Sequence, residues 1–271
     1  MKWNCRKFLL VSLGFLATAH CALAQEAGPL VLAHRGGAQE YEENTMDAFR
    51  SCYENGIRAF EIDIRMTRDG VLVILHDDSL DRTYNSSGPV EDKLAAEVED
   101  VVSKKGQRFL FLDEFLDYFA DKPGVYIELE MKVSNKSLYS DERIRQYCRT
   151  LYKAVEAKKP ETSVYVYTSF DERPLKEIRS LDAKVPTSFI TGKPLTAEII
   201  EKAKSLKTTA ICCQLNGASR TMVKEAQKQG FKVTCWTGRS AEDYLLCLGL
   251  GVDVHCTDIP MALLKVKEKL R

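Results

Sequence analysis

Eight times along this chain a short run of apolar and β-branched residues is followed by a longer run whose apolar positions recur at helical spacing. The strand-like runs are Leu30–Ala33, Ala59–Arg65, Gly124–Lys132, Ser163–Thr168, Val185–Ile190, Thr209–Leu215, Phe231–Trp236 and Val252–Cys256. The helical runs are Asn44–Asn55, Leu112–Ala120, Asp141–Lys158, Asp171–Ser180, Thr196–Ser205, Ser219–Gln229, Ala241–Leu248 and Ile259–Leu270. Such alternation implies parallel strands with crossover helices, an α/β class. Eight units fit a (β/α)8 TIM barrel, whose typical length is about 250 residues. An open doubly wound sheet is the competing arrangement, and the lack of a Gly-rich dinucleotide fingerprint after the first strand weighs against it. Arg68-Asp69-Gly70 turns the second strand back into Val71–Leu75, and the stretch 78–108 is turn-rich around Asn85-Ser86-Ser87-Gly88-Pro89. This predicts a small insertion after the second strand, lying over one barrel end.

The first 24 residues belong to a different logic. Lys2, Arg6 and Lys7 precede a short apolar run, Phe8 to Ala19, and Ala22-Leu23-Ala24 is a small-x-small cleavage site. This is the pattern of a secretory signal peptide cut after Ala24. A transmembrane anchor needs roughly 20 apolar residues, so no stable membrane anchor is expected. The expectation is a secreted or periplasmic protein with one domain over residues 25–271. Its net charge would be −3, since the leader carries three basic residues and no acid while the whole chain balances 39 against 39. That balance gives no reason to expect nucleic acid as a partner. Seven cysteines remain after cleavage: Cys52, Cys148, Cys212, Cys213, Cys235, Cys247 and Cys256. An odd number excludes complete pairing within one chain, and most are expected as buried free thiols.

In a barrel, chemistry gathers at the C-terminal ends of the strands. His34-Arg35-Gly36 ends the first, Glu61 and Asp63 lie near the end of the second, and His76-Asp77 follows the extra strand. Glu128, Glu130 and Lys132 end the third, and Trp236 the seventh. Side chains alternate along a strand, so Glu61 and Asp63 share a side, as do Glu128, Glu130 and Lys132. Carboxylates meeting in a barrel mouth fit a hard divalent cation such as Ca²⁺ or Mg²⁺. A polar layer salt-bridged by Lys132 and Arg35 satisfies the same spacing. His34 and His76 are open to three roles: metal ligand, acid/base pair or hydrogen-bonded structural residue. An acid/base pair would suit phosphodiester cleavage, one imidazole accepting a proton and the other donating one. Arg35 could hold a phosphate or bridge to one of the acids. Asn44 is placed to cap the first helix, Asp77 to orient His76, and His255 to pack or line the pocket wall.

Ala33-His34-Arg35-Gly36-Gly37, Glu42-Glu43-Asn44-Thr45, Phe60-Glu61-Ile62-Asp63, Thr67-Arg68-Asp69-Gly70, Val73-Ile74-Leu75-His76-Asp77 and Leu80-Asp81-Arg82-Thr83 stand in the order and spacing of a known block. Glu130-Met131-Lys132, Ser169-Phe170-Asp171, Thr234-Cys235-Trp236-Thr237 and Thr257-Asp258-Ile259-Pro260 follow it. Over nearly all of residues 30–262 the sequence resembles the glycerophosphodiester phosphodiesterase family. The resemblance implies a (β/α)8 barrel and a divalent-metal phosphodiesterase. It would release sn-glycerol 3-phosphate and an alcohol from a small-molecule glycerophosphodiester. By motif position it implies Glu61, Asp63 and Glu130 as metal ligands and His34 and His76 as the acid/base pair. Arg35 and Lys132 would then neutralise phosphate, and Trp236 would line the glycerol pocket. A lysophospholipid phosphodiesterase and a non-catalytic phosphodiester-binding barrel are the alternatives. The sequence departs from the family at Glu42, where proline is common, and at Glu128, where a neutral polar residue is common. It departs again at Trp236-Thr237-Gly238-Arg239, against the usual Trp-Thr-Val-Asn, and at His255, where a small or apolar residue is expected. The Glu128 and Trp236–Arg239 differences bear on the alcohol group, and Glu128 could add a ligand or a second acidic contact.

Overall fold

The computed structural model describes residues 28–270. The leader proposed for residues 1–24 lies outside the described residues. The chain runs β1 (Leu30–His34), α1 (Met46–Glu54), β2 (Ala59–Met66) and β3 (Leu72–Ile74). A 3-10 turn (Val90–Asp92), α2 (Ala95–Val98) and α3 (Leu112–Phe119) follow. Then come β4 (Tyr126–Met131), α4 (Asp141–Lys158), β5 (Val164–Ser169), α5 (Glu172–Leu181), β6 (Thr187–Ile190) and α6 (Ala197–Ser205). The chain ends with β7 (Ala210–Gln214), α7 (Arg220–Lys228), β8 (Lys232–Gly238), α8 (Ala241–Leu250), β9 (Val254–Thr257) and α9 (Pro260–Leu270).

Eight of the nine strands are parallel, in the order β1-β9-β8-β7-β6-β5-β4-β2, and β1 pairs with β2 to close the barrel. The anticipated (β/α)8 barrel is what forms. β1 meets only the first half of β2, at Ala33↔Phe60 and His34↔Glu61. Along the second half of β2 its place is taken by β3, antiparallel, at Ile64↔Ile74 and Met66↔Leu72.

Strand alternation sorts the core into two shells. Phe60, Ile62 and Ile64 of β2 and Ile127, Leu129 and Met131 of β4 face outward and pack with helix residues such as Phe49, Phe115 and Ile144. The inner shell of Leu32, Ala59, Tyr126, Val166, Val254 and Cys256 fills the barrel floor. With both faces covered, all eight residues of β2 are buried, charged ones included.

The stretch 78–108 is more ordered than its turn-rich composition suggests. It contains the 3-10 turn and the one-turn α2, and its Leu80, Tyr84, Val90 and Val98 form a small core with Val73, Leu75 and Phe109 at its two ends. The rings of Tyr84 and Phe109 lie 4.7 Å apart. Each fully buried side chain of this kind is worth roughly 2 kcal/mol, so the insertion is a packed unit seated on the barrel. Elements of three and four residues are too short for periodicity to reveal. The seven cysteines among the described residues are buried and form no disulfide, as expected. No helix among the described residues is long and apolar enough to cross a membrane.

Candidate active site

The site follows from register. Parallel pairing sets His34 beside Glu61, Glu61 beside Glu128 and Asp63 beside Glu130. Because Glu61, Asp63 and Glu130 occupy inward positions near the strand ends, one oxygen from each falls within 4.8 Å of the others. Glu61 Oε1 and Asp63 Oδ1 are buried and have no hydrogen-bond partner. Like charges this close cannot all ionise without a counter-charge. Burial, with Asp63 and Glu130 adding to it, pushes the Glu61 carboxyl well above the carboxylate range. Asp63 is buried as deeply, but Lys132, His76 and Arg35 and the hydrogen bond from Asn44 overcome that and hold it low. An all-oxygen cluster with orphaned oxygens fits a hard divalent cation.

Two cations of the protein border the cluster. Lys132 Nζ lies 2.8 Å from Glu130 Oε1 and 3.6 Å from Asp63 Oδ1. Arg35 Nε lies 3.5 Å from Asp63 Oδ2, and its Nη1 donates to Glu43 Oε1 at 3.3 Å. Arg35 has φ 53°, and from there its backbone N–H donates to Glu61 Oε2 at 3.1 Å. Positive φ is unfavourable for a residue with a Cβ, and such strain gathers at functional turns. The next residue must be glycine: Gly36 has φ 80°, and a Cβ there would sit 2.8 Å from the Cβ of Ala48.

Both histidines are oriented through Nδ1. His34 Nδ1 is 2.6 Å from Asp258 Oδ1, and His76 Nδ1 is 2.6 Å from Asp77 Oδ1. A carboxylate there favours the tautomer with hydrogen on Nδ1 and leaves Nε2 to exchange a proton. Each carboxylate is gripped in turn by an arginine, Asp258 by Arg239 Nε at 3.0 Å and Asp77 by Arg82. Arg82 also reaches Glu43 through Nη1 at 2.9 Å and Nη2 at 2.6 Å. Asp77 is held down to about 2: burial opposes this, and the hydrogen bonds from Arg82 and His76 prevail.

A cavity of ≈ 100 Å³ opens beside these groups. It is lined by the polar His34, Arg35, Glu61, His76, Glu128, Glu130 and Lys132 and by Phe170, Ile190, Cys212, Trp236 and Cys256. Trp236 meets Phe170 edge to face, 5.8 Å between centroids, and its indole Nε1 is buried without a partner. All eight residues singled out for the site therefore converge; seven line this cavity, and Asp63 lies buried within the acid cluster.

The structure decides three sequence expectations and adds one residue that they lacked. Asn44 does not cap α1. Thr45 does, accepting from Ala48 N at 3.2 Å, and Asn44, at φ 57°, donates instead to Asp63 Oδ2 at 2.8 Å. Glu128 lies one inward position before Glu130 on β4, level with Glu61, and is not part of the acid cluster. It accepts from Tyr126 and Thr234 hydroxyls, both at 3.0 Å, and burial pushes its carboxyl up to about 7. His255 is a packed residue, fully buried, with Nδ1 2.9 Å from Cys247 Sγ. Asp258 was not singled out, although an acid just past the last strand, within Thr257-Asp258-Ile259-Pro260, was a signal of the same kind as Asp63.

A barrel whose strand ends converge on acids, two carboxylate-bound imidazoles and two cations belongs to the (β/α)8 enzymes. Residues 34–262 match the glycerophosphoryl diester phosphodiesterase family, and the chain belongs to that family. It is 28% identical to the glycerophosphodiester phosphodiesterase of Caldanaerobacter subterraneus subsp. tengcongensis, over 89% of this chain and 98% of that one. Its fold is similar to that of an Oleispira antarctica phosphodiesterase whose structure was solved in complex with the product sn-glycerol-3-phosphate (TM-score 0.80, 20% identity, 89% of this chain and 97% of that one). A glycerophosphodiester phosphodiesterase from Parabacteroides distasonis superimposes with TM-score 0.77 at 22% identity, over 90% of this chain and 99% of that one. The chain is thus a phosphoric diester hydrolase acting on small glycerophosphodiesters.

Proposed function

We propose that hydrolysis here is divalent-metal-dependent, with Glu61, Asp63 and Glu130 holding Ca²⁺ or Mg²⁺ and with His34 and His76 as the general acid/base pair. The observation that carries this reading is the pairing of orphaned carboxylate oxygens with two imidazoles whose Nδ1 atoms are already committed to Asp258 and Asp77. A divalent cation in the cradle would supply Lewis-acid polarisation of a phosphoryl oxygen. The residues do the rest. Arg35 and Lys132 neutralise charge growing on the phosphoryl oxygens. One imidazole accepts through Nε2 the proton of the substrate hydroxyl next to the ester as that oxygen attacks phosphorus. The other, as imidazolium, donates its Nε2–H to the departing alcohol, and sn-glycerol 3-phosphate follows when water opens the cyclic phosphate. Trp236 packs against the glycerol moiety and offers Nε1–H to one of its oxygens. Residues 1–24 are proposed as a leader cleaved after Ala24, which would make the single domain over 25–271 a secreted or periplasmic enzyme.

A turnover panel tests this: glycerophosphocholine, other glycerophosphodiesters and a lysophospholipid, each with Ca²⁺, Mg²⁺ or excess chelator. Turnover of the soluble diesters that chelator abolishes and one cation restores is the expected result. An unchanged rate in chelator would remove the metal, and faster turnover of the lysophospholipid would change the substrate class.

A further inference from the structure

Arg65 is among the largest fully buried side chains, and the reaction outlined above makes no use of it. It shares the inward side of β2 with Glu61 and Asp63 but lies one position further along, beyond the acid cluster. There its guanidinium meets the chain around His76. Nη2 and Nε donate to the backbone carbonyl of His76 at 2.9 and 3.3 Å, and Nη2 also pairs with Asp78. Arg65 therefore grips the chain on both sides of Asp77, the residue that orients the imidazole. Its remaining arm, Nη1, donates to Glu91 Oε1 at 3.0 Å. Glu91 comes from the 3-10 turn of the insertion and is itself buried, 4% exposed. The same oxygen accepts from the Tyr139 hydroxyl at 2.8 Å, which in turn accepts from Met66 N at 3.0 Å.

An ion pair this deep is a poor device for anchoring an insertion. Removing each charge from water costs several kcal/mol, and well-packed apolar residues would hold the insertion as firmly. It already has such a core. What an apolar pair could not do is hold the carbonyl of His76. That service is needed at this point, because β3 ends at Ile74 and its last ladder-like bond is Leu75 N to Asp63 O, 2.9 Å. His76 stands just past the end of regular structure.

We propose that Arg65 and Glu91 are positioning residues for His76: Glu91, delivered by the insertion, holds the Arg65 fork against the His76 carbonyl and so fixes the imidazole over the acid cluster. The inference rests on the acid/base role of His76. Mispositioning a reacting group by about an ångström costs up to roughly 100-fold in rate, so a loosened tether should cost about 10-fold in kcat and leave KM nearly unchanged.

The test measures kcat and KM for Glu91→Gln and Arg65→Lys, each in the full-length protein and in the His76→Ala background, with circular dichroism to confirm folding. Glu91→Gln preserves shape and an acceptor. The paired variant Arg65→Met with Glu91→Leu removes both charges together, which proteins tolerate well, and it too should lose kcat while folded. Each change should lower kcat in the parent and cause no further fall once His76 is gone. Full kcat in the folded variants would overturn the tether. So would losses that multiply with His76→Ala, since they would mark a general structural defect. If His76→Ala itself kept full activity, the acid/base reading would fall first, and the tether with it.

Discussion

The two histidines carry the same attachment built from opposite materials. Each has Nδ1 2.6 Å from a carboxylate, and each carboxylate is held by an arginine. His34 ends a barrel strand, and its carboxylate comes from the far end of the chain, at the close of β9. The Asp258 side chain is 6% exposed. His76 follows a three-residue strand, and its carboxylate is its own neighbour, Asp77, 24% exposed. One imidazole is fixed by closure of the barrel; the other by an excursion from it, reinforced by Arg65 below and Arg82 above. The same imidazole–carboxylate pair can thus be placed by the scaffold or by an attachment to it, and the two differ in how much solvent can substitute for a lost partner.

The largest effect should come from the imidazoles themselves. His34→Ala and His76→Ala are each expected to lower kcat by roughly 10²- to 10⁴-fold, the usual range for general acid–base catalysis. Steady-state kinetics that leave either variant fully active would break the symmetry of the pair. Next come the carboxylates. Asp258→Asn and Asp77→Asn should cost on the order of 10- to 100-fold, as loss of a tautomer-setting partner does. The loss should be greater for Asp258, because water can replace a partly exposed carboxylate more easily than a buried one. Equal losses, measured side by side, would show that burial does not distinguish the two halves. The arginines should matter least. Arg239 is 65% exposed and makes one bond to Asp258, so Arg239→Ala should change kcat by at most a few-fold, as exposed pairs do. Arg82→Ala should do more, because Arg82 joins Asp77 to Glu43 and through it to Arg35. A reversal of that order would place the controlling contact at the β8 end.

The sequence was most informative where the fold is regular. Alternating runs specify the barrel, and period-two spacing aims Glu61, Asp63 and Glu130 inward, because both are local properties of a strand. Legibility failed where partners are distant or conformations unusual. Asp258 and His34 are separated by 224 positions, and nothing in either neighbourhood announces the other. Asn44 reads as the cap because asparagine is a good helix cap, yet Thr45, an equally good one, stands beside it. Only the left-handed backbone at Asn44 turns its amide toward Asp63. Arg65 and Glu91 are illegible in the sequence for a related reason. Each looks like an ordinary surface charge until the insertion folds back over the end of β2.

Two of the chain's departures from the family pattern, glycine at 238 and histidine at 255, prove to be neighbours. A Cβ on Gly238 would overlap the His255 ring, and β8 and β9 are joined beside them by the Gly238↔Thr257 pairing. The two positions form one steric unit. The space a side chain on β8 would fill is taken by the imidazole from β9, so a larger residue at 238 requires a smaller one at 255. The apparent pair of irregularities near the mouth is a single exchange of volume across a barrel seam.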